Sequence, residues 1–229
     1  PQDANSADLP VPSYLSCLQP SNKPIIVGLD QSYISAGVPA AVTQVLVDAL
    51  ARAGTKVEVR AVTMPPSYYQ LAVDWGKSCA VECLHAHASM YPEQAHRYGP
   101  GLTWLLELGR TVSADEYAQL QNLRAQFRTE LDAVLAAVDV LLTPTMPIAG
   151  PSVAQMEQGG LEPESAPFLS FTAPFDYSGH PTLNVPAGVD SNGLPQSLQL
   201  IGARFNESGL LAAGAMFERV LGPMEYPMP

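Results

Sequence analysis

Residues 24–62 constrain the fold more than any other stretch, because they write a strand, a helix and a second strand in close succession. The run PIIVGL at 24–29 is too short for a helix and rich in β-branched residues, the mark of a buried strand. Gly37-Val38-Pro39 opens a helical stretch, with Pro39 suited to a first turn. Val42, Val45, Leu46 and Leu50 then share one face, and Gly54 is a good C-terminal stop. The segment KVEVRAV at 56–62 alternates with period two, as a strand with one wetter face does. Such a unit places its two strands parallel, with a right-handed crossover. Gly28 alone does not make the Gly-x-Gly-x-x-Gly turn of a dinucleotide site.

Helical patterning continues over 67–110, broken near Tyr91-Pro92 and Tyr98-Gly99-Pro100. Ser113-Ala114-Asp115-Glu116 reads as a capping box, in which the Ser113 hydroxyl accepts an amide and Glu116 reaches back. The helix it starts carries a stripe through Tyr117, Leu120, Leu123, Phe127, Leu131, Val134 and Leu135. Val140-Leu141-Leu142 is a fully apolar strand stopped by Pro144. Two further strand-like runs, at 183–189 and 197–201, flank Asn192-Gly193, a hairpin signal because both residues tolerate φ > 0. A last helix is expected over 207–221, capped by Asn206 and stopped by Gly222. This order is α/β: part of a mixed sheet with helices on both faces.

Composition narrows the function classes. Hydrophobic residues make up 47% and charged residues 14%, which favours a folded globular chain over disorder. With 22 acidic against 11 basic residues the net charge is −11, which argues against nucleic acid and anionic membranes as partners. No apolar run reaches the roughly 20 residues of a transmembrane helix, and no signal peptide is visible. Three Cys do not suggest a disulfide framework, and a reducing, cytoplasmic setting is the simpler expectation.

Two C-terminal segments carry a resemblance. The first, DVLLTPTMP at 139–147, is a short strand ending in a Thr-Pro-Thr-x-Pro turn. The second, PFDYSGHPTLNVPAGVDSNGLPQSLQLIG at 174–202, holds the hairpin. In this order they resemble the closing third of an amidase signature family hydrolase. The stretch 82–87, the Ser-Ala-Asp-Glu-Tyr helix start and Arg124 stand in family-like positions too. The opening PQDANS resembles the end of the family's Asp-Pro-x-Asp-x-x-Ser pattern, one residue into it. The resemblance implies hydrolysis of a small carboxylic amide to acid and ammonia or amine by a Lys and two Ser residues. It implies no metal and no cofactor. No Gly/Ser-rich loop with those residues occurs in this chain, so its catalytic residues are expected outside it, and the chain alone is expected to be inactive. Residues 1–23 would be an extended linker and 24–229 the C-terminal part of one amidase domain. Expected partners are a small-molecule amide, the missing N-terminal half or a second polypeptide, and a second copy in a homo-oligomer.

The resemblance makes Thr143, Thr145, Met146, Asp176 and Tyr177 substrate-pocket candidates, with the two turns at 143–147 and 176–180 facing one cavity. In the amidase-type subunits of glutamyl-tRNA amidotransferases, an acid lies three residues before the Thr of the Thr-x-Pro preceding this turn. Here Leu169 holds that place, which forfeits an ion pair to an amino-acid substrate and favours a less polar amide. Glu164 is not expected to compensate.

Three rival readings compete with this one. Cys79, Cys83 and His87 fall on one helical face, but no second Cys/His cluster completes a four-ligand zinc site. Asp176, Ser178 and His180 imitate a compressed triad, yet no Gly precedes Ser178 as a nucleophile elbow requires. A tight turn allowed by Gly179 is the better reading. The third is a non-catalytic binding or scaffold domain derived from the amidase fold. Glu82, His87 and Arg124 are read as structural, with Arg124 paired to an acid on a neighbouring helix.

Overall fold

The computed structural model describes residues 6–21, 23–148, 152–154, 166–190 and 193–223. The opening PQDAN, Glu164 and Asn192 lie outside the described residues. Five strands, β1 (Ile25–Leu29), β2 (Val57–Ala61), β3 (Val140–Pro144), β4 (Thr182–Val189) and β5 (Pro195–Gly202), form one sheet in the order β2-β1-β3-β5-β4. β1 is parallel to β2 and to β3, as the strand–helix–strand reading requires. β5 runs antiparallel to both β3 and β4, so the sheet is mixed.

Helices supply the cover. In chain order among the described residues they are α1 (Tyr14–Cys17), α2 (Gln31–Ser35), α3 (Ala40–Ala53), α4 (Tyr68–Ala86), α5 (Pro100–Thr111), α6 (Ala114–Leu135), α7 (Ala166–Leu169), α8 (Ala173–Ser178) and α9 (Glu207–Leu221). α3 and α9 pack against each other and onto β4 and β5. α6 joins the core through Phe127, Leu131 and Leu135, and α4 packs on α5, α6, α7 and α8. β3 is buried along its whole length, because it lies between β1 and β5 with helices over both faces. An unbroken apolar run is what such a position demands.

Local signals act largely as expected. The Ser113 hydroxyl accepts the Glu116 amide at 3.1 Å. Glu116 itself reaches away to Lys77 Nζ at 2.7 Å, so only half of the capping box forms, and the other half becomes a tie between α6 and α4. Asn206 caps α9 through the Gly209 amide at 3.2 Å. Asp30, which follows β1, accepts the amides of Ser32, Tyr33 and Met64. Burial alone would raise its carboxyl, but these bonds and the Ser32 hydroxyl outweigh that and hold it below the ordinary value.

One local expectation is corrected. Residues 173–178 are a short helix, not a tight turn, with Pro174 at its start and Gly179 closing it in the left-handed region at φ 72°. A proline in the first turn and a glycine at the close suit a single helical turn and a half.

Candidate active-site wall

The α4–α8 crossing builds the candidate site. Trp75, Ser78, Cys79 and Glu82 lie on one face of α4, Arg124 comes from α6, and Asp176 and Tyr177 come from α8; together they line a cavity of about 270 Å³. Ser78 is buried and lies beside the Tyr177 hydroxyl, which gives its own proton to the Asp74 carbonyl at 3.1 Å. The Ser78 hydroxyl is left without a well-formed partner among the described residues. Burial pushes the Tyr177 phenol up to about 12 and the Cys79 thiol up to about 11, with Glu82 adding to the latter. Both stay neutral at physiological pH, so this wall offers hydrogen-bonding groups and no thiolate nucleophile. Asp176 stands exposed at the rim, and partial desolvation raises its carboxyl above the ordinary value.

α6 fixes this wall through three side chains spaced four residues apart. Arg124 Nε donates to the Tyr177 carbonyl at 2.6 Å and Arg128 Nε to the Ser178 carbonyl at 2.8 Å. Two guanidinium groups thus hold the carbonyl end of α8, where cations are favoured. Arg124 also meets Glu82 at 3.3 Å and lies 5.6 Å from the Tyr177 ring centroid. Asp132, the third, accepts from Arg204 at 2.9 Å and contacts His180 Nε2 at 3.1 Å.

Ser178 and His180 do meet, with Ser178 Oγ 2.9 Å from His180 Nδ1. The acid behind the imidazole is Asp132 of α6, not Asp176. Ser178 is fully buried and its hydroxyl also bonds the Phe175 carbonyl at 3.3 Å. No substrate reaches such an oxygen, so the trio is a latch holding the chain after α8 against α6.

The other candidates lie at the end of β3. Thr143 is buried and its hydroxyl accepts from Gln199 Nε2 at 3.1 Å, across the β3–β5 pair. Gln199 Nε2 also donates to the Phe171 carbonyl at 2.7 Å, which ties the sheet to the loop before α8. Thr145 Oγ1 donates to Asn184 Oδ1 at 3.0 Å and lies 2.8 Å from Ser197 Oγ. Met146 and Leu169 are half-buried, and the Leu169 carbonyl accepts the Thr172 amide at 3.1 Å. Of the sequence candidates, Asp176 and Tyr177 share the α4–α8 cavity, and Thr143, Thr145, Met146 and Leu169 are not among its lining residues.

Sequence reasoning misses Trp75 and Ser78 altogether, and treats Cys79 only as a metal ligand and Arg124 only as an ion-pair partner. Their signal is present in the spacing Leu71, Trp75, Ser78, Cys79, Glu82, which is one helical face in which polar groups interrupt an apolar stripe. Arg124 pairs with an acid on α4 as read, and adds the carbonyl bond that the sequence does not show. His87 Nδ1 lies 3.0 Å from the Tyr98 hydroxyl. Among the described residues no group of His, Cys, Asp and Glu is arranged to hold a metal ion.

Comparison with known proteins agrees with this architecture. A family profile described as Amidase matches residues 1–211, and the chain belongs to that family. The protein of Mycobacterium tuberculosis named amidase AmiD is 40% identical over 144 residues, covering 62% of this chain and 30% of that protein. An amidase of Pseudomonas putida is 30% identical over 226 residues, covering 96% of this chain and 48% of that enzyme. The crystal structure of an amidase superposes with a TM-score of 0.75 at 25% identity, over 89% of this chain and 47% of the other. The chain thus spans half or less of the length of these relatives. No described helix is long and apolar enough to cross a membrane.

Proposed function

We propose that this chain is the C-terminal portion of a serine amidase that hydrolyses a small carboxylic amide to the acid and ammonia or amine. The observation that supports the reading most is the family match over residues 1–211 together with a polar-rimmed cavity at the α4–α8 crossing. In this reading the Ser-Ser-Lys machinery lies outside the chain, and residues 24–229 complete its domain after a linker at 1–23. The nucleophile's acyl intermediate needs a wall that excludes water and orders the amide, and neutral hydroxyls do this without competing as nucleophiles. Tyr177 would meet the substrate on one side, with the buried Ser78 hydroxyl behind it, and Thr145 and Met146 would close the other from the end of β3, with Thr143 buried behind them. Leu169, in the place of an acid, forfeits one ion pair to an α-amino group, so simple aliphatic or aromatic amides suit the pocket better than glutamine.

The test is turnover of an aliphatic amide and an α-amino amide by the complete protein, its Tyr177→Trp variant, and the 229-residue chain alone. We expect hydrolysis by the complete protein with preference for the aliphatic amide. Added bulk at Tyr177 should alter that preference by about tenfold or more, the effect of about 1.4 kcal/mol in the transition state. The chain alone should neither turn over amide nor take up a fluorophosphonate. A complete protein without amidase turnover would instead support a binding or scaffold role, and stoichiometric labelling of Ser178 would overturn the assignment of the nucleophile.

A further inference from the structure

A second cavity, of about 510 Å³, lies where the three parallel strands begin. Lys23, Pro24 and Ile25 line it from the entry to β1, Lys56 from the entry to β2, and Asp139 from the entry to β3. One face of α9 forms its apolar side through Ala212, Met216 and Val220. The segment containing Gln19 and Pro20 closes it, and is held there by Arg219 Nη1 donating to the Leu18 carbonyl at 2.9 Å. The candidate active-site residues stand elsewhere: Thr145 follows the far end of β3, and the α4–α8 cavity shares no lining residue with this one.

The charge of the lining is opposite to that of the chain. Three cations, Lys23, Lys56 and Arg219, meet one carboxylate in it, whereas acids outnumber bases 22 to 11 overall. That carboxylate is already engaged, since Asp139 Oδ2 accepts the Ile26 amide at 2.8 Å. Neither the Lys23 nor the Lys56 ammonium is hydrogen-bonded or ion-paired to a described residue. The first turn of α9, through Asn206 and Gly209, presents the positive end of a helix dipole to the same space. The volume falls within the range of small-molecule sites, which combine an apolar lining with a few convergent polar groups. Two ammonium groups with no partner among the described residues, set over an apolar wall, select an anion with an apolar body, because the charge meets the lysines while the body buries against α9.

We infer that this cavity is a binding site for a small amphipathic organic anion, a carboxylate or a phosphate monoester, separate from the amide pocket. The experiment is titration calorimetry on the complete protein with hexanoate, hexyl phosphate and the neutral 1-hexanol. Each is repeated on the Lys23→Ala/Lys56→Ala variant and on Ala212→Phe, which fills the apolar wall. We expect at least one of the two anions to bind, 1-hexanol to bind at least about tenfold more weakly, and both variants to lose about tenfold or more in anion affinity. Charge-assisted contacts of this kind are worth roughly that factor or more. Tighter binding of hexyl phosphate would assign a phosphate ester, and of hexanoate a carboxylate. Anion binding unchanged in both variants, equal binding of the alcohol, or no binding at millimolar concentration would overturn the site. Because both lysines are exposed, their loss leaves the core intact, and an unaltered unfolding temperature keeps the comparison valid.

Discussion

At the scale of single residues, the imidazole of His180 shows how the wall behind the candidate site is held. The ring is fully enclosed, with Ser178 Oγ on one nitrogen and Asp132 on the other. Burial lowers its pKa below the ordinary value; the attraction of Asp132 opposes this, and the nearby Arg204 and Arg128 reinforce it. The folded chain therefore takes up the His180 proton less readily than the unfolded chain, whose histidine titrates near about 6.5. Where the unfolded state binds more protons, stability rises with pH. The His180 contribution is thus fully present above that unfolded value and is lost as pH falls through the lower folded value. A His180→Gln variant, with no proton to gain, should be less stable than the parent at pH 7.5, and the gap between the two unfolding temperatures should narrow by pH 5.5. A gap that widens on acidification would mean that the charged imidazole, paired with Asp132, is the native form. Asp132 is a distinct case, because its carboxyl is held below the ordinary value by Arg204 and His180 against a desolvation that would raise it. Its contribution disappears only in more acidic solution, below the window of the histidine.

At the scale of elements, the helices that present the wall depend on one close crossing. α4 and α5 meet where Gly109 lies against the Ala80 backbone, and a Cβ there would press into the Ala80 carbonyl. Backbone cannot swing aside as a flexible side-chain end does, so Gly109→Ala should separate the two helices and cost about 1–3 kcal/mol. Because Cys79 and Glu82 flank Ala80 on α4, the same change should disturb the α4–α8 cavity. Equilibrium denaturation of this variant measures the cost, and parent-like stability would show that α5 shifts freely. Elements of this kind are legible in the sequence where periodicity and caps agree: β1, α3, β2, α6, β3 and α9 stand where the patterns put them. The short helix α8 is not, because six residues hold too little period to distinguish a helix from a turn. The site is legible only in part. Asp176 and Tyr177 can be named from their segment, but the wall's other members come from α4 and α6, far away in sequence. The spacing on α4 groups Trp75 and Ser78 on one helical face, but only the crossing of the helices sets that face against α8. The same holds for Arg128 and for the second bond of Arg124, which go to backbone carbonyls and so leave no complementary side chain to notice.

At the scale of the whole molecule, the sheet ends at β2 in an edge that stands open among the described residues. Among the described residues β2 pairs with β1 alone, and Glu58, Val59, Arg60 and Ala61 are all exposed, on both faces of the sheet. Val59 is 48% exposed, and Val47 of α3 is 51% exposed. Parallel strands are ordinarily covered on both faces, and an open edge offers unpaired amides and carbonyls to any passing strand. The relatives that match this chain are about twice its length or longer, which agrees with further structure being available to cover that edge. Expressed as 229 residues alone, the chain should therefore self-associate in a concentration-dependent way and bind a hydrophobic dye. A substitution that disfavours strand addition, Val59→Lys, should reduce both effects without lowering stability, since the side chain is already in water and β2 lies at the edge. Light scattering and dye fluorescence on the parent and this variant provide the measurement. A monodisperse monomer that unfolds cooperatively and binds no dye would mean that β2 is a finished edge, and the proposal that residues 24–229 are one part of a larger amidase domain would lose its physical support.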